Sequence, residues 1–268
     1  MQLIRNEELL YSCKRINLDI SEISHGLLDS EWNMENLCAN FTRVYFPISG
    51  EAFLTVREEK IPLVPGNIYI VPSGLNFSGF CPHKMDKLYV HLTLTRPDGS
   101  DIFAGIKNCL ILHESGPLIR QAVSLYDAND FGSVLKFKLL LYEILERALE
   151  HCPAHALKLQ VYSELTKAAL NYIDTHLHAS LTIDDIASAL FVSKLVLQKK
   201  FKADLEKPIG KYLDDCLLLH AERALLDPTR SIKDISEQLG FCDQFYFSRK
   251  FSAAYGISPR RFRQLHNV

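Results

Sequence analysis

No apolar run in this chain approaches the roughly 20 residues a membrane-spanning helix needs. Its first residues, MQLIRNEELLYSCKR, place charges where a secretion signal needs an apolar stretch. A cytoplasmic location and no membrane partner are therefore expected. The seven cysteines (13, 38, 81, 109, 152, 216, 242) are scattered, odd in number and form no C-x-x-C pair, which disfavours a disulfide frame and a zinc site alike. There is no glycine-rich phosphate loop, paired-carboxylate motif or Ser/His/Asp set. His83, His91 and His113 lack the close spacing of a metal centre, so no metal and no cofactor are expected. A dominant charge is missing too: the net charge is −2 over 268 residues, which argues against a wholesale polyanion binder. The balance is uneven, however. Residues 1–170 hold 16 Lys/Arg and 20 Asp/Glu, whereas residues 171–268 hold 14 and 12, so a nucleic-acid function is permitted only in the C-terminal part.

What is present divides into two halves. In NFTRVYFPISGEAFLTVREEKIPLVPGNIYIVPSG, short β-rich runs at Val44–Phe46, Ala52–Val56 and Ile68–Val71 are separated by turn residues, and another run follows at Lys87–Thr95. Strands this short and regularly spaced suggest a small barrel or sandwich. From about residue 115 the period becomes helical. Residues 133–150 place apolar side chains at 134, 137, 141, 144, 145 and 148, Cys152-Pro153 ends the run, and a further helix is expected over Ala156–Leu177. The expected division is 1–115, 116–157 and 158–268: a β domain, a helical segment and an all-α domain, in an α+β chain.

The second half contains a repeat. TIDDIASAL (182–190) and SIKDISEQL (231–239) align at an offset of 49, while Phe201 with Phe251, and Tyr212 with Phe262, align at 50. The second copy therefore has one extra residue near its turn. Thr182 and Ser231 each precede an Asp three residues on, which predicts a capping-box start that satisfies free helix N–H groups. A short helix, a turn and a second helix, twice over and joined by the apolar stretch Tyr212–Leu226, predict two linked helix-turn-helix units.

These residues resemble the AraC/XylS family of transcriptional regulators. GFCDQFYFSRKFSAAYGISPRRFR (240–263) is similar to the signature of that family's second helix-turn-helix, through Tyr246-Phe247, Ser248-Arg249, Phe251, Gly256, Ser258-Pro259 and Phe262-Arg263. ALNYIDTHLHASLTIDDIASALFVSKLVLQKKF resembles the first, and PGNIYIVPSG resembles, more loosely, its sugar-sensing cupin domain. Phe191 and Glu206 depart from the pattern, standing where glycines are usual, and Phe77 stands where related cupins carry a metal-binding His. The resemblance implies a cupin-like N-terminal β-barrel with trailing helices, and a C-terminal domain of two helix-turn-helix units that binds double-stranded DNA. It also implies a small-molecule effector such as a sugar, RNA polymerase as a partner, a role as activator, and a homodimer formed through helix 133–150 (Leu135, Leu139, Tyr142, Leu149).

Helical spacing divides the second reading helix into two faces. Phe247, Phe251 and Ala254 form one, expected in the core; Gln244, Phe245, Ser248, Arg249 and Ser252 form the other, expected on DNA. Arg pairs with guanine, Gln with adenine, and an apolar ring with the thymine methyl. Motif alignment puts Leu195, Gln198 and Lys199 of the first reading helix toward the groove, flanked by Lys194 and Lys202, whose charges suit phosphate. Arg260, Arg261 and Arg263 read equally as phosphate anchors or as solvated charge. Arg43, Tyr45, Tyr69 and His91 alternate with apolar neighbours, so they face either a ligand inside the barrel or solvent. Trp32 either stacks on a sugar or fills the core. Two other readings stay open: a cupin-type enzyme whose helices are structural, and a DNA binder without a ligand.

Overall fold

The computed structural model describes residues 6–128, 130–153 and 161–265, in two compact units, Leu10–Lys158 and Met1–Leu9 with Leu159–Val268. A helix, α1 (Glu7–Arg15), precedes the strands β1 (Asn17–Leu28), β2 (Asn33–Leu37), β3 (Thr42–Gly50), β4 (Phe53–Val56), β5 (Glu59–Pro62), β6 (Ile68–Val71), β7 (Phe77–Phe80), β8 (Met85–Thr95) and β9 (Leu110–Leu112). They form two antiparallel sheets, ordered β1-β8-β3-β6-β9 and β2-β7-β4-β5. Short antiparallel strands in two sheets meet the expectation of a small barrel or sandwich, and α2 (Gly116–Asp127) and α3 (Phe131–Leu149) follow.

Strand alternation gives the five-stranded sheet two unlike faces. Val44, Phe46, Ile68, Ile70, Leu88, Val90, Leu92 and Leu94 bury themselves against Ile119, Ala122, Phe137, Leu140, Leu141, Ile144, Leu145 and Ala148 of α2 and α3. That aliphatic seam is the unit's main core. Two positions depart from the expected helical pattern: Val134 is exposed, and Leu140 takes a core place. Leu149, expected on an intersubunit face, packs against this core instead.

In the other unit the helices are α4 (Glu164–His176), α5 (Ile183–Ala189), α6 (Lys194–Leu205), α7 (Ile209–Leu225), α8 (Ile232–Gln238), α9 (Gln244–Tyr255) and α10 (Pro259–Leu265). The helix expected from Ala156 is shorter. Residues 154–160 lie outside the described residues, and α4 begins only after Ser163, whose hydroxyl caps the Thr166 N–H. Both predicted capping boxes are present: Thr182 and Asp185 on α5, Ser231 and Asp234 on α8, each pair exchanging side-chain and backbone bonds. The backbone bonds Val192 N–H to Ala187 O and Phe241 N–H to Ser236 O are equivalent. The caps Ser193 and Asp243 then follow at one and two residues, so Cys242 is the inserted residue. Phe191 and Glu206 keep the left-handed backbone of their glycine counterparts, with φ +55° and +56° against +75° at Gly240 and +72° at Gly256. A side chain in that region costs roughly 1–2 kcal/mol, so the departures keep the turn geometry and accept strain.

Candidate nucleic-acid interface and ligand site

The second reading helix is held by aromatic rings. Phe247 and Phe251 are fully buried. Phe251 stacks on Tyr255 with centroids 4.2 Å apart and meets Phe262 edge-on at 5.5 Å. Tyr255 hydroxyl donates to Glu222 Oε2 on α7 at 2.7 Å, and Lys250 Nζ reaches Asp214 Oδ1 at 2.6 Å. Ala254, expected in the core, is exposed; the buried face continues through Tyr255, four residues after Phe251, and not through the residue three after it.

The opposite face is open. Phe245 is 67% exposed, Tyr246 and Arg249 are exposed, and Gln244, Ser248 and Ser252 are half-buried. The Arg249 guanidinium carbon sits 6.0 Å from the Tyr246 ring centroid, which pre-orients a planar donor beside the reading surface. On α6, Leu197 and Phe201 are buried, while Lys194, Leu195, Lys199 and Lys202 are exposed and Gln198 is half-buried. Lys194 already pairs with Asp184 at 2.7 Å, so phosphate has to compete for it. Arg260 and Arg261 are exposed, whereas Arg263, read equally as a phosphate anchor or as solvated charge, is engaged by the fold. It donates to the carbonyls of Leu225 (3.0 Å), Asp227 (3.1 Å) and Arg230, closing the C-terminal end of α7.

The inner face of the five-stranded sheet is chemically different from its helix-covered side. Register places Arg43 beside His91 and Tyr45 beside both Tyr69 and Tyr89. A bulge between Ile20 and Glu22 re-aims β1 so that Glu22 pairs with His91 and Ser24 with Tyr89. Arg43, Tyr45, Tyr69, Lys87 and His91 are all buried, so the outward placement open to Arg43 from sequence is overturned. Its guanidinium carbon lies 4.5 Å and 5.1 Å from the Phe41 and Phe77 ring centroids. Tyr69 hydroxyl accepts the Val64 N–H at 2.8 Å. Glu22 receives His91 Nδ1 at 2.8 Å, Tyr89 hydroxyl at 2.7 Å and Ser24 hydroxyl at 3.1 Å. Burial pushes the Glu22 carboxyl up, but those bonds, His91 first, outweigh it and hold the group at about 2. Burial lowers His91 to about 4, leaving a neutral ring beside an ionised Glu22.

Lys87 is the residue that the sequence reading left out. It is 2% exposed, and its Nζ lies 3.9 Å, 4.2 Å and 5.3 Å from the ring centroids of Tyr45, Trp32 and Tyr89. Burial, then the nearby Arg43 charge, lowers it to about 7. Half-buried Trp32 lies flat on β7, where a Cβ at Gly79 would come within 2.7 Å of its ring. The signal for Lys87 was available: KLYVH alternates, and Lys87, Tyr89 and His91 share one face.

Residues 186–265 match the family model described as a helix-turn-helix domain. The Msm operon regulatory protein of Streptococcus mutans is 24% identical over 233 residues, covering 82% of this chain and 83% of that protein. The lactose operon transcription activator of Staphylococcus xylosus is 25% identical, with 82% of each covered. ToxT of Vibrio cholerae, solved as a crystal structure, superposes with a TM-score of 0.55 at 12% identity over 91% of this chain and 97% of that one, so the fold is shared. ToxT has also been solved with an unsaturated fatty acid bound, at a TM-score of 0.54 and 13% identity, covering 92% and 96%. Two capped, cored and linked helix-turn-helix units define a DNA-binding transcriptional regulator, not an enzyme. Its C-terminal part carries a helix-turn-helix domain of the AraC type.

Proposed function

We propose that this chain reads two adjacent major-groove segments with α6 and α9, in response to a small organic anion held on the inner face of its five-stranded sheet. The open face of α9, with Phe245, Ser248 and Arg249 set opposite the buried Phe247 and Phe251, supports the reading role. At 17 residues, α7 is about 25 Å long, shorter than one DNA turn of roughly 34 Å but of the same scale. Fragments recovered from sheared genomic DNA at about 150 mM salt, where phosphate-only binding is weak, should share a motif of two blocks one turn apart. Arg249→Ala should relax preference at particular base pairs, by about 1–3 kcal/mol each. Lys199→Ala should weaken all sequences alike. Uniform loss from both variants in that selection would remove the base-reading role of Arg249.

The effector class rests on one observation: the Lys87 amine is buried in an aromatic cage, its charge disfavoured further by nearby Arg43, and Lys87 itself forms no ion pair with a carboxylate among the described residues. An isolated buried charge is costly, and an anionic group would compensate it. A neutral sugar, the effector suggested by resemblance, leaves Lys87 without a counter-charge. An acid or phosphate ester satisfies it, and Trp32, Tyr45 and Tyr89 then enclose the body of the molecule. The fatty acid in ToxT supports an organic acid. Glucuronate, glucose 6-phosphate and octanoate should raise the melting temperature more than glucose and octanol do; equal shifts from the neutral compounds would overturn the anion.

Phe131, Leu135, Leu139 and Tyr142 make an exposed apolar stripe on α3, with Leu139 67% exposed, and support self-association through that helix. Leu139→Glu should convert a sedimenting dimer to monomer, and a wild-type monomer would refute the stripe's role. We place the chain in the cytoplasm, acting with RNA polymerase, and as an activator, the role that the name of its Staphylococcus xylosus relative carries. Transcription in vitro with purified polymerase, rising with added chain, tests that.

A further inference from the structure

We infer that His178 and Gly240 form a second strut between the two reading units, fixing the spacing and phase at which α6 and α9 meet DNA. This rests on the paired-reader function but is separate from it, because two units joined only by α7 would still bind. Two bodies joined along one helix can rock about it. A contact on a different line removes that freedom.

That contact lies within the C-terminal unit. His178 and Ala179 are in the segment between α4 and α5, at the entry to the first reading unit. Leu239 and Gly240 form the turn of the second, between α8 and α9. Ala179 N–H donates to Leu239 O at 2.9 Å, satisfying one of the carbonyls that a helix end leaves open. The His178 ring lies in the space that a Cβ on Gly240 would take. Its Nδ1 is 2.8 Å from Ser180 Oγ, so a local bond sets the ring's direction.

The repeat supplies an internal control. The residue equivalent to Gly240 is Phe191, which holds the same left-handed backbone yet is 96% exposed. The turn geometry alone therefore tolerates a side chain. Glycine at 240 answers a further demand, the close approach of His178. Only the second unit's turn receives a ring from the first unit in this way among the described residues. The first unit has used the same position for an exposed phenylalanine.

The test is a binding selection on randomised DNA with full-length wild type, His178→Ala, Gly240→Ala and His178→Phe, scored for the number of base pairs between the two motif blocks. The wild type should recover one spacing. His178→Ala, which removes the ring, and Gly240→Ala, whose Cβ displaces it, should recover sites one base pair shorter or longer about tenfold more often than wild type, a change of the size one mismatched base pair makes. His178→Phe keeps a ring and should restore the single spacing. If the two loosening variants bind less DNA overall but keep the wild-type spacing, His178 serves fold stability alone and the strut is overturned. A wild-type selection without two blocks would overturn the paired reader itself and the strut with it.

Discussion

Phe251→Ala should abolish DNA binding by unfolding the second reading unit, with a loss of about 3–5 kcal/mol, the usual range for a buried Phe truncated to Ala. An ordinary domain holds only about 5–15 kcal/mol in total. Phe251 is completely buried and its ring meets Phe247, Tyr255 and Phe262 with centroids at 5.9, 4.2 and 5.5 Å, so three neighbours lose packing together. The Tyr255 ring in turn positions the hydroxyl that donates to the buried Glu222 at 2.7 Å. If that ring shifts, the bond to a desolvated carboxylate weakens, and such bonds are expensive to lose. Phe245→Ala is the control. At 67% exposure it should leave the denaturation midpoint within about 0.5 kcal/mol of wild type while lowering affinity. Denaturant unfolding followed by circular dichroism, paired with DNA-binding anisotropy, separates the two. A Phe251→Ala protein that retains its midpoint and its affinity would contradict the ring-held helix.

Sequence patterns exposed the DNA-binding half more fully than the sensing half, for physical reasons. A capping box is a local device, read from Thr182 with Asp185 or Ser231 with Asp234, and a core at positions such as Phe201 and Phe251 recurs with the repeat. Local rules still left errors. Extending the apolar pattern back to Ala156 overlooked the cap offered by Ser163, and a three-residue step put Ala254 where the helix uses Tyr255. The barrel depends on pairing between distant strands. β1, whose NLDISEISHGLL alternates weakly, escapes a propensity reading, and with it Glu22, whose role exists only because a bulge brings it opposite His91. Arg43, Tyr45, Tyr69 and His91 stood out as a set because their neighbours are aliphatic. Lys87 did not, because a lysine at the start of a strand ordinarily belongs to the surface.

Lys87→Met should make the sensing unit more stable while removing its response to anions. Replacing a buried, poorly compensated ion by an apolar residue of similar length is often stabilising by about 1–4 kcal/mol, and a thioether suits the Trp32 and Tyr45 rings. The pH dependence identifies the cause. An unfolded lysine titrates near 10.4, whereas folded Lys87 titrates at about 7. Between those values the unfolded chain binds a proton that the folded chain lacks, so the contribution of Lys87 should make stability rise with pH across about 7–10, by up to roughly 1.4 kcal/mol per unit. The destabilisation is full below pH 7 and gone above the unfolded value. Tyr45 and Tyr89, both pushed up to about 12 by burial, act oppositely and only above pH 10, where their unfolded forms ionise first. The thiols of Cys109 and Cys216, pushed up to about 12 by burial, also act oppositely once their unfolded forms ionise at about 8.5, so the window that reports Lys87 is about pH 7–8.5. Melting temperatures measured through it should climb in wild type and stay flatter in Lys87→Met. A bound anion favours the protonated amine, so saturating wild type with one should flatten the climb as well, linking the titration to the ligand site. A Lys87→Met chain that is less stable than wild type and keeps the wild-type slope would show that the buried amine is already compensated by its aromatic cage, and would withdraw the argument for a negatively charged effector.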